Sequence, residues 1–229
     1  MRILFTADIF AQAGRRMAST HIPALLRERS VDFVIANGEN AAGGFGLTDN
    51  LVGKLRSYGV NVITSGNHIW DRKEFVHQLD RDDRVLRPFN YPPGAPGQGS
   101  TISESHSGHK VAVLCLQGRT SMPSTDCPFR LGKAEVERLR EQTPIIFIDF
   151  HAEATAEKVA LGWYLDGLAS AIIGTHTHVQ TADERILPQG TAYLTDAGMT
   201  GPHDSGIGVH PEQAIRRFLT QVPTRFKPA

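Results

Sequence analysis

The chain has 229 residues, of which 40% are hydrophobic and 21% are charged, as in an ordinary globular protein of one large domain or two small ones. Lysine plus arginine and aspartate plus glutamate balance at 24 each, which excludes a broad basic surface for nucleic acid or an anionic membrane. No apolar run has the length of a membrane-spanning helix, and the first apolar stretch is too short for a signal peptide, so we expect a cytoplasmic protein.

The first third of the chain predicts alternating strands and helices. Short apolar, β-prone runs indicate strands at 3–7, 33–36 and 61–64. A helix interrupted near Pro23 lies between the first two, and a helix from Thr48 or Asp49 to Gly59 lies between the second and third. Such a βαβαβ alternation is typical of α/β folds with a parallel sheet.

An irregular crossing loop at 87–99, rich in proline and glycine, precedes the rest of the chain. Beyond it, β-like runs at 101–104 and 110–116 predict a hairpin that starts a second sheet. The remaining expected elements are loops at 118–119 and 126–130, a helix at 134–141, a strand at 145–148, a helix at 153–165, strands from 170 and at 191–195, a helix at 211–219 and an extended tail at 223–229.

Side chains that commonly bind metals follow five of these strands. They are Asp8, Glu39, Asn40, Asn67, His151, His176 and His178. His176 and His178 are two residues apart, so in extended backbone both imidazoles point the same way. Because open α/β sheets place their sites at the C-terminal ends of strands, we expect all seven side chains to share one crevice.

The composition of this set predicts the kind of centre. Four oxygen-type and three nitrogen ligands exceed the needs of one tetrahedral zinc and suit two metals bridged by a carboxylate. Iron, manganese or zinc fits mixed carboxylate and imidazole ligands better than calcium does. His68 follows a proposed ligand directly, and histidine can donate a proton near neutral pH, so it is the candidate general acid.

The same motifs resemble those of the calcineurin-like metallophosphoesterases, and more narrowly those of their YmdB-like branch. The resemblance to that branch rests on three segments, with the sequences ANGENAAGGFG at 36–46, DFHAEAT at 149–155 and GTHTHVQTADERI at 174–186. It spans almost the whole chain. It implies a four-layer αββα sandwich, one metallophosphoesterase domain over residues 1–229, and a two-metal centre of iron or manganese, with zinc or magnesium as alternatives.

The resemblance also implies roles for individual residues. One metal would take Asp8, Glu39, Asn40 and His178, and the other Glu39, Asn67, His151 and His176, so that Glu39 bridges the two. His68 falls on the family's proton donor. The implied reaction is the hydrolysis of cyclic nucleotides, 2′,3′-cyclic forms first, by attack of a metal-bridging hydroxide. No residue is assigned to substrate binding.

Three departures from the family pattern are visible. Phe10 stands where general metallophosphoesterases have a histidine. The YmdB-like branch also lacks this histidine, and Asn40 is expected to compensate for it. Alanines at 11 and 13 replace the usual glycine and proline after the first strand. Relatives continue past the last helix into further strands, whereas this chain stops at Ala229, so we expect one sheet to lack its edge or another subunit of a homo-oligomer to cover it.

The expected partner is a small-molecule cyclic nucleotide, with no membrane and no extended nucleic-acid surface. Two alternatives stay open on the same fold. One is a regulatory protein that senses a nucleotide with little turnover. The other is a phosphomonoesterase or nuclease that uses the same metal centre. Comparison of a cyclic nucleotide, a monophosphate and RNA as substrates would separate these hypotheses.

Overall fold

The structure, a computed structural model, describes residues 1–229. Nine strands are present: β1 (Ile3–Thr6), β2 (Phe33–Asn37), β3 (Val62–Thr64), β4 (Ser100–Glu104), β5 (Lys110–Gln117), β6 (Ile146–His151), β7 (Ala171–Thr175), β8 (Arg185–Ile186) and β9 (Ala192–Leu194). The helices are α1 (Ala11–Glu28), α2 (Asp49–Ser57), α3 (Lys73–Val76), α4 (Pro128–Arg140), α5 (Thr155–Tyr164) and α6 (Pro211–Thr220). Short 3₁₀ turns lie at Asn67–Trp70 and Leu79–Arg81.

The strands form two separate sheets. The first contains β1, β2 and β3 in that order, all parallel, as the predicted βαβαβ alternation requires. The second has the order β4-β5-β6-β7-β9-β8, with a parallel centre and an antiparallel pair at each edge. The pairing of β4 with β5 confirms the predicted hairpin at the start of a second sheet.

Side chains alternate between the two faces of each strand, and the buried apolar ones form three clusters. Phe33 and Ile35 of β2 pack between the two sheets, together with Val113 of β5. The intervening residues Val34 and Ala36 face the other way, against α1 and α2. On the far side of the second sheet, a separate apolar cluster joins β5 and β6 to α4 and α5. The order of layers is therefore α, β, β, α, which confirms the predicted sandwich.

The first helix differs from its prediction. We expected an interruption near Pro23, but α1 runs unbroken through it for 18 residues. Proline removes only one backbone donor, and most helical stability in a protein comes from packing of the buried face. Ala18 and Ile22 provide that packing against the first sheet. The altered segment at 11–13 forms the first turn of α1, with Ala11 at φ +48°.

The boundary of α4 was also misplaced. The predicted loop at 126–130 ends earlier than expected, because the helix begins at Pro128 and not at residue 134. Proline is well suited to the first helical position, where its missing N–H would have no partner in any case. The crossing loop at 87–99 is irregular, as predicted. None of the helices combines the length and the hydropathy needed to cross a membrane.

Candidate metal centre

The layer between the two sheets changes from apolar to polar toward the C-terminal ends of the strands. On β2 the residue that follows Ile35 on this face is Asn37, and on β6 Phe147 is followed by Asp149 and then His151. Asn37, Asp149 and His151 are fully buried. Side chains alternate between faces along a strand, so these polar groups lie in the same inter-sheet layer as the core and mark its edge as the site.

His151 is at the centre of the first group of candidate ligands. Its Nε2 lies 3.0 Å from Glu39 Oε1, 3.0 Å from His176 Nδ1 and 3.2 Å from Asn67 Oδ1. The ligand atoms of Glu39, His151 and His176 all lie within 4.8 Å of one another. An oxygen and two nitrogens at this spacing can converge on one metal ion.

Asn40 and His178 form a second group beside the first. The Asn40 amide donates to the carbonyl oxygen of Gly44 at 2.9 Å, which turns its Oδ1 toward His178 Nε2 at 3.3 Å. Asp8 Oδ2 accepts a hydrogen bond from the backbone N–H of His176 at 3.0 Å. The structure thus brings the seven ligand candidates of the sequence to one edge of the inter-sheet layer.

In each of the three histidines, the ring nitrogen that faces away from the site has a polar partner of its own. His151 Nδ1 lies 2.9 Å from the Thr175 hydroxyl, which donates in turn to Asp149 Oδ1 at 2.7 Å. The hydroxyl is therefore free only to accept from His151, so Nδ1 keeps a proton and Nε2 is the ring nitrogen that faces the site. Ile207 provides the matching contact to His178, since its carbonyl oxygen lies 2.9 Å from Nδ1.

His176 is oriented the opposite way. Its Nε2 lies 3.2 Å from the half-exposed carboxylate of Glu153, and its Nδ1 faces His151. His176 therefore presents Nδ1 to the site, whereas the other two histidines present Nε2. Sequence reasoning did not assign roles to Glu153, Thr175 or Asp149. For Asp149 a signal was present, because a carboxylate two residues before His151 in a strand must share its face.

The backbone near the site adopts rare conformations. Asp8, His176 and His178 have φ angles of +33°, +99° and +63°, in a region that residues other than glycine rarely adopt. Such residues persist where the surrounding structure holds them, and they are common at functional sites. A buried ion pair provides part of this support: Asp196 Oδ2 contacts Lys158 Nζ at 2.5 Å and also accepts from the Thr177 hydroxyl at 2.8 Å.

Burial and charge pull the ionisable groups in opposite directions. Burial and the neighbouring Glu39 carboxylate raise the pKa of Asp8 well above its usual value. Burial alone would lower the pKa of His151, but attraction to Glu39 raises it to about 9, and the same pairing lowers the pKa of Glu39 to about 2. Burial and repulsion by His151 lower the pKa of His176 to about 3, which leaves its ring neutral.

Three observations show that these residues fit a metal. Asp8 Oδ1 is buried and has no hydrogen-bond partner, so a cation would satisfy it. At Gly66, an added Cβ would lie 2.2 Å from the His151 ring and 2.4 Å from Glu39 Oε2, so only glycine lets the backbone pass the site. The mixed carboxylate, amide and imidazole donors suit iron, manganese or zinc.

His68 and Phe10 lie at the rim of this cluster. The backbone N–H of His68 donates to Glu39 Oε2 at 3.2 Å, and its ring Nδ1 lies 2.8 Å from Asp71 Oδ2. The His68 side chain is 28% exposed, so it is open to a ligand. Phe10 is buried and packs edge-on against His178 with ring centroids 5.6 Å apart, so it takes a place near the centre that a metal-binding side chain could fill.

Comparison with known proteins places the chain in a family. Residues 4–229 match the sequence profile of the family described as YmdB-like protein. The chain belongs to the YmdB-like family. One relative of this YmdB-like protein is the 2′,3′-cyclic-nucleotide 2′-phosphodiesterase of Bacillus subtilis, which is 51% identical over 226 residues, or 99% of this chain and 85% of the relative.

Solved structures support the YmdB-like fold. A hypothetical protein from Thermus thermophilus is 46% identical and superposes with a TM-score of 0.93 over 100% of this chain and 88% of its own. A structure described as a novel phosphatase from Mycoplasma pneumoniae is 37% identical, with a TM-score of 0.92 over 99% of this chain and 82% of its own. The predicted family and fold are both confirmed.

Proposed function

We propose that this YmdB-like protein is a metal-dependent phosphodiesterase that hydrolyses cyclic nucleotides, with 2′,3′-cyclic AMP and its analogues as the first candidates. The observation that carries the proposal is the convergence of Glu39, Asn67, His151 and His176 within contact distance of one another at the edge of the inter-sheet layer. The name of the Bacillus subtilis relative, a 2′,3′-cyclic-nucleotide 2′-phosphodiesterase, supports the choice of substrate.

The two groups of contacts suggest how two metal ions would be held. We assign one ion to Glu39, Asn67, His151 and His176, and the other to Asp8, Glu39, Asn40 and His178, with Glu39 shared. Iron or manganese is the first choice and zinc or magnesium the alternative. When bound, the ions would supply an activated water and stabilise charge on the phosphoryl oxygens. Conversion of Glu39 to alanine should then abolish metal binding, and retention of two ions would refute its bridging role.

His68 is proposed as the proton donor of this reaction. Asp71 lies against its Nδ1 at 2.8 Å, so Nε2 is the ring nitrogen left for the substrate. The departing ribose oxygen would take its proton from Nε2, and Asp71 would hold the ring in that orientation. The backbone contact from His68 to Glu39 ties the donor to the ligand cluster. Donor and ligands are thus connected through one carboxylate.

The first test is turnover of 2′,3′-cyclic AMP by protein of measured metal content. We expect turnover that is lost on chelation, restored by manganese or iron, and lost in Asn67→Ala. Asn50→Ala is the matched control, because Asn50 is an exposed asparagine on α2. Tight nucleotide binding without turnover by protein that holds two metal ions would contradict the proposal and favour a nucleotide-sensing role.

A phosphomonoesterase is the second candidate, because the Mycoplasma pneumoniae relative is described as a phosphatase. The same ligand cluster could serve either ester, since both reactions place charge on phosphoryl oxygens. Assays with 2′,3′-cyclic AMP, 3′-AMP and RNA under identical metal conditions would separate the candidates. Faster release of phosphate from 3′-AMP than ring opening of the cyclic substrate would favour the phosphomonoesterase.

A further inference from the structure

An exposed phenylalanine stands beside the proposed proton donor. Phe45 is 43% exposed, and its ring lies edge-on to the ring of His68 with centroids 4.9 Å apart. It is carried by a glycine-rich loop in which Gly43, Gly44 and Gly46 all have positive φ, so the loop needs glycine at these positions. Neither the metal ligands nor the proton transfer uses this side chain.

The loop that carries Phe45 is held by Arg72. The guanidinium of Arg72 donates to the carbonyl oxygen of Phe45 at 3.0 Å and also to that of Ala42. At Gly46 an added Cβ would lie 2.7 Å from the Arg72 side chain, which shows how closely the two segments pack. The backbone that carries the exposed ring is therefore held in place, and groups positioned before binding lose little conformational freedom when a ligand binds.

Phe45 also lines a pocket of about 580 Å³. Its other walls come from Arg72 and from the C-terminal segment, which contributes Arg225, Phe226 and Lys227. That segment is tied down, since the Lys227 N–H donates to Gln213 Oε1 at 2.7 Å. The pocket therefore combines two aromatic rings with three basic side chains.

We propose that this pocket takes the base of the substrate, stacked on Phe45, and that its basic wall attracts the anionic nucleotide. The inference rests on the proposed function. His68 would protonate a ribose oxygen, so the ribose must lie against His68, and the base attached to it can reach the neighbouring ring of Phe45. Aromatic side chains accept any base by stacking, because every base has a π face.

A second cavity beside His178 is the competing location. It has a volume of about 500 Å³, and its lining includes His178 itself together with Val179, Met199, His203 and Ile207. No phenylalanine, tyrosine, tryptophan, arginine or lysine lines it. Two histidines are its only aromatic or basic side chains, whereas the Phe45 pocket has two phenylalanines, two arginines and a lysine, which favours the Phe45 pocket for stacking and for attraction of an anion.

The test compares two cyclic phosphodiesters that share the reacting five-membered ring, 2′,3′-cyclic AMP and glycerol 1,2-cyclic phosphate, which lacks a base. Loss of a base–aromatic stack weakens binding about 5- to 150-fold. We expect Phe45→Ala to lower the ratio of kcat/KM for the nucleotide over the base-free substrate by about that factor, through KM. Phe45→Trp should restore the ratio. Phe218→Ala is the control, because Phe218 is 79% exposed on α6 and lines neither cavity.

An equal loss for both substrates in Phe45→Ala would overturn the proposal, because it would show that Phe45 acts only by positioning His68. Calorimetric binding of 3′-AMP to wild type and Phe45→Ala gives a readout without turnover. Weaker 3′-AMP binding in the variant, with no turnover of either diester by wild type, would reject the phosphodiesterase and keep the pocket. Normal turnover of the diesters by wild type, with equal 3′-AMP binding by wild type and Phe45→Ala, would keep the phosphodiesterase and reject the pocket.

Discussion

The two contacts of His68 act on different parts of the residue, and a substitution can separate them. His68→Ala removes the ring but keeps the backbone N–H that donates to Glu39. We expect metal content to be unchanged and kcat to fall by about 10²- to 10⁴-fold, the usual effect of losing a general acid. Steady-state kinetics with metal analysis would check this, with His77→Ala as the exposed-histidine control. An unchanged kcat would remove His68 from the mechanism.

The hydroxyl of Thr175 is the second target at this scale. Thr175→Val keeps the shape of the residue but removes the link between His151 and Asp149. We expect metal affinity to fall about 10- to 100-fold, as for other groups that orient a ligand. Metal titration by calorimetry would measure it. Thr143→Val is a suitable control, because it loses a buried hydroxyl that bonds to Lys110 far from the site, and equal affinities in the two variants would contradict the role.

The sequence predicted the candidate ligands but not the groups that orient them. The ligands could be found because each follows an apolar strand, and strand ends share an edge. Thr175 contacts His151 because the β6–β7 register places these two residues opposite each other, and the amino-acid sequence does not specify that register. Glu153 could not be assigned for a similar reason, since its contact depends on the unusual backbone of His176.

At the scale of elements, one ion pair joins α5 to the loops that carry His176 and His178. Lys158 and Asp196 are both about 1% exposed, and Asp196 also accepts from Thr177, which lies between the two histidines. The prediction of a helix at 153–165 was correct, but helix periodicity gives no reason to expect a buried lysine on it. Its partner comes from a turn 38 residues away.

We expect Lys158→Met to destabilise the protein by about 3–5 kcal/mol, because it leaves the Asp196 carboxylate buried without its partner. Chemical denaturation would measure the free energy of unfolding. Lys133→Met is the control, since Lys133 pairs with Glu137 at 4.0 Å on the surface of α4 and such pairs contribute about 1 kcal/mol or less. Similar decreases in the free energy of unfolding for both variants would show that the buried ion pair contributes no more than the exposed one.

Both errors in the predicted helices involve a proline. Pro23 predicted an interruption that α1 does not have, and Pro128 was assigned to a loop although it begins α4. In α1, packing of the buried face outweighs the missing donor of Pro23. In α4, Pro128 begins the helix where local sequence resembled a loop. Tertiary packing, which is not visible in a single local segment, decided the case of Pro23, whereas the start at Pro128 follows a local preference that the sequence prediction overlooked.

At the scale of the whole molecule, the candidate ligands come from both sheets. Glu39 follows a strand of the first sheet, and His151 ends a strand of the second, 3.0 Å away. Without metal, Glu39 raises the pKa of His151 to about 9, against the opposing effect of burial, so the imidazole is charged at neutral pH. A metal ion can bind only the neutral ring, so it must displace that proton.

Metal affinity should therefore increase as the pH rises toward about 9 and become constant above it. At pH 7 we expect release of about one proton from His151 per protein on metal binding. Calorimetry in buffers of different ionisation enthalpy would count the protons. The stability of the metal-free protein should depend on pH in the opposite direction to metal affinity. The raised pKa of His151 adds stability that is fully present below about pH 6.5 and is lost as the pH rises through about 9. A metal affinity independent of pH between 7 and 9 would contradict this account.

The contact between Asp8 and His176 joins residues 168 positions apart in the chain. We expect a contact of such long range to form late in folding, because closing a long loop costs entropy that other contacts must first offset. A metal bound at this edge would then act on the folded state and little on the transition state of folding. We expect it to lengthen the lifetime of the native protein while leaving the refolding rate nearly unchanged.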